Sequence, residues 1–215
     1  MPISDFDFAV FKKEPALGIV RGVSKNALTG VMDASVSAGL KFVEITINTA
    51  GAFELMGEVS KKYSESLCVG AGTVLSRQDA ETACSAGAKF IVSPTLNEEV
   101  AVYCREKPLP YFPGAYTPTE IEKAWNSGAV MVKVFPASRL GPSYFKEIKG
   151  PFNHIPLMAV GGVKPDNIED FFRAGASAIA IGASVFSPDR MENKQFDDIR
   201  KDLREILLAV RKFYH

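Results

Sequence analysis

Eight short apolar runs recur along this chain, at 17–21, 42–47, 67–71, 89–93, 109–113, 130–135, 157–160 and 178–182, with a longer stretch between each and the next. That alternation constrains the fold more than any other feature. The runs are rich in Val, Ile and Ala, so strands covered on both faces are expected, as in a parallel sheet. Segments such as 27–38 and 77–86 space their apolar residues as helices do. Eight strand–helix units in 215 residues predict an α/β fold, a compact (β/α)8 TIM barrel behind a short N-terminal helix. The alternative is an open, doubly wound sheet. No linker or charge block interrupts the chain, so a single domain over 1–215 is expected. Four similar stretches around Gly39, Gly87, Gly128 and Gly175 each follow a helical pattern and precede a run. There the glycine suits the left-handed residue just past a helix C-terminus.

Composition removes several function classes. Lys plus Arg and Asp plus Glu both count 25, and such a balance argues against a general binder of nucleic acid or anionic membranes. No apolar run is long enough to span a bilayer. The start, Met1 to Phe11, carries Asp5 and Asp7 and lacks the basic, then apolar, pattern of a secretory signal. Three cysteines, Cys68, Cys84 and Cys104, contain no CxxC pair, so reduced thiols in a cytoplasmic protein are expected. The two histidines, His154 and His215, cannot build a His-rich metal site within one chain. His154 lies among turn residues and reads as a surface histidine.

Polar intruders in the runs point to a site. In a barrel, alternate side chains of each strand point inward and function gathers at the C-terminal ends. Lys133 shares a face with Met131 and Phe135, while Val132 and Val134 take the other. Glu44 shares one with Phe42 and Thr46, and Arg21 with Ile19; Thr73 follows Gly70-Ala71-Gly72 at the end of the third run. If these faces point inward, Arg21, Glu44, Thr73 and Lys133 converge on one mouth. Burial lowers a lysine's pKa, and a neutral amine can attack a ketone to form a Schiff base. The plainer reading is a buried Lys133–Glu44 ion pair. Glu44 either balances the lysine or shuttles protons for it.

Glycines at two consecutive strand ends suggest an anion. Gly161 and Gly162 follow the seventh run, and Gly182 closes the eighth, with Ser184 just beyond. A glycine turn brings backbone N–H groups close to a phosphate, and a helix N-terminus after the eighth run would add its dipole. Neither GxxxxGK[ST] nor GxGxxG occurs. Pro94 and Pro113 read as loop-shaping residues, Tyr111, Phe112 and Trp125 as packing. Ile199, Leu203, Ile206, Leu207 and Val210 read as one face of a terminal amphipathic helix.

These residues resemble a family. Gly18-Ile19-Val20-Arg21, Val43-Glu44-Ile45-Thr46, Gly70-Ala71-Gly72-Thr73-Val74-Leu75, Val92-Ser93-Pro94, Phe112-Pro113-Gly114, Val132-Lys133-Val134-Phe135-Pro136-Ala137, Gly150-Pro151-Phe152 and Val160-Gly161-Gly162-Val163 match, in order, the 2-keto-3-deoxy-6-phosphogluconate (KDPG) / 4-hydroxy-2-oxoglutarate (KHG) aldolases of class I. The resemblance implies a TIM barrel, a homotrimer, Lys133 as the Schiff-base lysine and Glu44 as general acid/base. It implies that Thr73, Pro94 and Phe135 line the pyruvyl pocket, and that Gly161, Gly162, Gly182 and Ser184 hold a phosphate. It implies no metal and no organic cofactor. Asn48 departs from the pattern: many members have arginine there, binding the substrate carboxylate. Some carry it in strand one instead, which assigns that role to Arg21. Glu44-Ile45-Thr46-Ile47-Asn48, Ala159-Val160-Gly161-Gly162 and Gly141-Pro142-Ser143-Tyr144 also look like the 2-dehydro-3-deoxy-6-phosphogalactonate branch.

The expected reaction is cleavage of KDPG to pyruvate and glyceraldehyde 3-phosphate, with KHG, giving pyruvate and glyoxylate, as a further substrate. The alternatives are the galactonate aldolase and a silent barrel that binds sugar phosphates without turning them over. A sugar-phosphate isomerase or epimerase would share the glycine turns but needs no imine-forming lysine.

Overall fold

The computed structural model describes residues 6–214. Met1 to Asp5, part of the signal-peptide reading, and His215 lie outside them. Nine strand segments form one all-parallel sheet: β1 (Ala16–Val20), β2 (Phe42–Thr46), β3 (Cys68–Gly72), β4 (Ile91–Val92), β5 (Tyr111–Phe112), β6 (Gly114–Ala115), β7 (Val132–Val134), β8 (Leu157–Val160) and β9 (Ala178–Ile181). Their order is β5-β4-β3-β2-β1-β9-β8-β7-β6. The end segments β5 and β6 belong to one run of chain broken at Pro113. β5 pairs with β4 and β6 with β7. The carbonyl of Tyr111 accepts from the Val130 N–H at 3.1 Å, and that of Pro113 from the Lys133 N–H at 2.9 Å. The two ends of the sheet therefore meet, and the fold is a (β/α)8 barrel.

The run expected at 109–113 is thus two segments. Proline has no N–H to give a ladder, so the break falls there. The run expected at 89–93 shortens to two residues.

Helices α2 (Lys25–Ala38), α3 (Ala52–Lys62), α4 (Arg77–Ser85), α5 (Glu98–Glu106), α6 (Pro118–Asn126), α7 (Ala137–Lys149) and α8 (Ile168–Arg173) lie between strands, with α1 (Phe8–Lys13) before the sheet. Beyond it come α9 (Pro188–Glu192) and α10 (Phe196–Tyr214). Local chemistry sets several starts. The Asp7 carboxylate accepts from the N–H groups of Ala9 and Val10 and caps α1. Thr117 and Glu120 form a reciprocal capping box on α6, with Pro118 in the first turn. Gly39, Gly87, Gly128 and Gly175 all have φ between 96° and 102°, the left-handed conformation their position after each helix calls for. α7 is broken at Gly141 (φ 69°), followed by Pro142.

Two apolar layers hold the barrel. Outward strand residues such as Val43, Ile45, Val132, Val134, Ile179 and Ile181 pack under the helices. On α10, Ile199, Leu203, Ile206, Leu207 and Val210 are buried, the face expected from their spacing. Inside the barrel lies a second cluster: Leu17, Phe42, Cys68, Phe90, Val92, Phe112, Met131, Met158, Val160, Ala178 and Ala180. Phe6, Phe8 and Phe11 pack onto it from the N-terminal segment, so α1 plugs the N-terminal end of the strands. No helix among the described residues is long and apolar enough to cross a membrane.

Candidate functional site

Lys133 is the middle residue of β7. Its neighbours Val132 and Val134 are wholly buried in the outer layer, while Met131 belongs to the barrel interior. The strand period therefore turns Lys133 inward, where it is only 6% exposed. Desolvation pushes its pKa below the usual lysine value; Glu44 opposes that shift and Arg21 adds to it. Its Nζ lies 5.4 Å from the centre of the Phe135 ring. In register beside it on β6 is Gly114. A Cβ on Gly114 would sit 2.0 Å from the Pro94 carbonyl oxygen, so only glycine allows the loop after β4 to come this close.

Glu44 sits on β2, paired in register with Ile19 and Gly70. It is 1% exposed, and neither carboxylate oxygen has a hydrogen-bond partner. Burial raises its pKa above the usual carboxylate value, with Lys133 and then Arg21 pulling the other way. The plainer expectation, a buried Lys133–Glu44 ion pair, is not met at contact distance: the two interact only through their charges. Two buried ionisable groups face one another electrostatically without satisfying each other, an arrangement that costs stability. Room for the carboxylate comes from Gly72: a Cβ there would fall 2.3 Å from Glu44 Oε1.

Arg21 follows β1 at the rim. Its Nη2 donates to Thr73 Oγ1 at 3.2 Å. Thr73, just past β3, has φ 61°, a left-handed conformation rare for a β-branched residue and costly to hold. Arg21, Glu44, Thr73 and Lys133 thus come from four strands to one mouth. His154, by contrast, is exposed on a turn.

A cavity of about 380 Å³ opens at Arg21; Glu44, Thr73 and Lys133 do not line it. Arg21, Phe135, Gly161, Gly162, Gly182 and Ser184 all line it. Gly161 and Gly162 have φ 95° and 74°, so the turn after β8 needs two left-handed residues in succession. The helix expected after the eighth run starts later, at Pro188, which itself lines the cavity. Val185 and Phe186 donate to the Gly182 carbonyl in a single turn, and the next helix, α9, starts only at Pro188. Ser184 Oγ lies 3.5 Å from the Val163 carbonyl, a contact long enough to leave the hydroxyl available. Pro94 does not line this cavity. It lines a neighbouring one of about 660 Å³ with Gly114, Tyr116 and Pro136, and Phe135 stands between the two.

Four further residues shape the site. Gly72 and Gly114 clear space for Glu44 and the Pro94 carbonyl. Asn167 braces the glycine turn, donating through Nδ2 to the Gly162 carbonyl and accepting the Lys164 N–H at Oδ1, both at 2.9 Å. Arg190 Nη1 donates to the carbonyls of Ser184 and Val185 and pairs with Asp202 at 2.8 Å. The glycines' inward strand positions could be read from the sequence, but what they make room for could not. Arg190 carried no signal.

A parallel barrel with a lysine and a carboxylate buried in its mouth falls among the barrel aldolases, which are carbon–carbon lyases. The sequence pattern of the KDPG and KHG aldolases matches residues 8–202, and the chain belongs to that family. It is 34% identical over 180 residues to the KHG/KDPG aldolase of Escherichia coli (strain K12), covering 83% of this chain and 84% of that protein. To the 2-dehydro-3-deoxy-6-phosphogalactonate aldolase of the same organism it is 30% identical over 175 residues, covering 81% and 85%. The solved "Native KDPGal structure" superposes with a TM-score of 0.87 at 27% identity, covering 93% of this chain and 95% of that one.

Proposed function

We propose that this protein is a class I aldolase that releases pyruvate from a phosphorylated 2-keto-3-deoxy sugar acid through a Schiff base on Lys133. The carrying observation is a lysine buried at the mouth of the barrel with a lowered pKa and no carboxylate bonded to it. The neutral amine attacks the C2 ketone, and loss of water gives an iminium. Glu44, through a water, takes the C4 hydroxyl proton. The electrons of the C3–C4 bond flow into the iminium and the aldehyde leaves. The enamine is protonated at C3, and water hydrolyses the imine to free pyruvate and the amine. Burial supports Glu44 in this role, because desolvation raises the carboxylate's affinity for a proton. Arg21 holds the substrate carboxylate, Thr73, Pro94 and Phe135 border the pyruvyl group, and Gly161, Gly162, Gly182 and Ser184 receive the phosphate. The working assembly under this reading is a homotrimer.

KDPG, cleaved to pyruvate and glyceraldehyde 3-phosphate, is the first substrate to assay, with KHG second. The galactonate epimer is a second reading, favoured by Asn48 and by the likeness to the Escherichia coli galactonate enzyme. The test is pyruvate release from KDPG, its C4 epimer and KHG. Turnover of a phosphorylated substrate is expected. Binding of all three without pyruvate release would support a silent barrel instead.

A further inference from the structure

Position 48 holds an exposed asparagine, so the β2 loop supplies no guanidinium to the mouth. It supplies something else. Thr46, the last residue of β2, is fully buried and Thr49 is 5% exposed. Their hydroxyls lie 3.2 Å apart, and the Thr49 N–H donates to the Thr46 carbonyl at 2.9 Å. Thr49 Oγ1 also accepts the N–H of Gly22 at 2.9 Å. That N–H belongs to the peptide joining Arg21 to Gly22, and Gly22 holds the left-handed φ of 71°. A hydroxyl can accept one bond and still donate another, so both contacts of Thr49 are compatible.

We infer that Thr49, backed by Thr46, is a positioning residue that fixes the Arg21 backbone so that its guanidinium meets the substrate carboxylate from a set direction. The inference rests on the reading of Arg21 given above. The arginine is clamped at both ends, its peptide by Thr49 and its guanidinium by Thr73. A long, solvent-facing side chain held this way has less freedom to lose on binding, which favours affinity through preorganisation. The β2 loop thus contributes to carboxylate binding through the backbone of β1 rather than by direct contact.

The test is a cycle of variants read by borohydride trapping of pyruvate, scored as the pyruvate concentration giving half-maximal inactivation. Thr49→Val keeps the shape and removes the hydroxyl. It is expected to raise that concentration severalfold, at most about tenfold, since only the lost preorganisation of Arg21 weakens binding, with the limiting trapping rate within about twofold of wild type. Thr49→Ser should restore the wild-type value. In an Arg21→Ala background, which itself raises the concentration, Thr49→Val should add nothing. Equal losses in both backgrounds, or no loss in either, would overturn the inference. Failure of Thr49→Ser to restore binding would do the same. If Arg21→Ala leaves half-saturation unchanged, the reading of Arg21 falls and the inference with it. A loss with Arg21→Ala but none with Thr49→Val removes the inference alone. Should Thr49→Val not fold, as judged by circular dichroism, Thr49→Ala takes its place in the cycle.

Discussion

At the N-terminal end of the barrel, the rings of Phe6, Phe8, Phe11, Phe42, Phe90 and Phe112 pack against one another. Phe11 meets Phe42 edge-on at 4.9 Å, and Phe90 meets Phe112 at 5.9 Å. At the C-terminal end Glu44 and Lys133 are buried almost as deeply, and the carboxylate has no hydrogen-bonded partner. Both ends obey the same strand period, which sends alternate residues inward. The aromatic end gains dispersion and quadrupole contacts and excludes water, so it stabilises the fold. The polar end costs stability, because burial raises the Glu44 pKa and lowers that of Lys133. One barrel can carry both because the stabilising layer and the reactive layer are separate along the strands. Phe42 and Glu44 are two residues apart on β2 and do opposite things.

Substitutions at the two ends should therefore separate activity from stability. The largest effect is expected from Lys133→Ala, which should lower pyruvate release by on the order of 10⁴-fold or more, as loss of a nucleophile does. It should leave the melting temperature at or above that of wild type, since it deletes an uncompensated buried amine. Full activity in this variant would break the contrast. Phe11→Ala should do the reverse, lowering unfolding free energy by about 3–5 kcal/mol while activity per folded molecule persists; denaturant titration alongside a rate assay reads both.

Glu44→Gln sharpens the contrast through pH. Burial raises the folded pKa of Glu44 above 4.5. Between the unfolded and folded values the native state binds more protons, so this group's contribution to stability falls as pH rises through that window. The variant should therefore gain stability over wild type at about pH 7 and lose that gain at about pH 4. An equal difference at both would mean that burial does not raise the Glu44 pKa. The smallest effect is expected from Ser184→Ala, a loss of about 1 kcal/mol in binding phosphorylated substrate. KHG, which has no phosphate, should be unaffected; equal losses with both would argue against a phosphate contact.

Much of this was legible in the chain because it depends on local period. The alternation around Lys133 and Glu44, the glycines after helices and the apolar face of α10 are each set within a few residues. What the chain did not display depends on contacts made only once the ring closes. The break at Pro113 exists because one stretch of chain must pair with β4 on one side and β7 on the other. Gly72 and Gly114 matter because of what stands across the register from them. The helix expected after the eighth run starts only at Pro188, after one turn, and Arg190 of that helix reaches back to brace the turn. Ser187-Pro188 marks the start of that helix, but nothing around 182–190 shows that Arg190 reaches back. The missing hydrogen bond between Lys133 and Glu44 is equally invisible, since strand period places both inward but does not set their separation.

On the proposed mechanism the polar end is reactive because burial lowers the Lys133 pKa and favours its neutral amine. Incubation with pyruvate and sodium borohydride, followed by intact mass and peptide mapping, tests it most directly. A single reduced pyruvate adduct on Lys133, absent from Lys133→Ala, is the predicted result. Pyruvate bound with no adduct, or an adduct spread over surface lysines and unchanged in the variant, would contradict it.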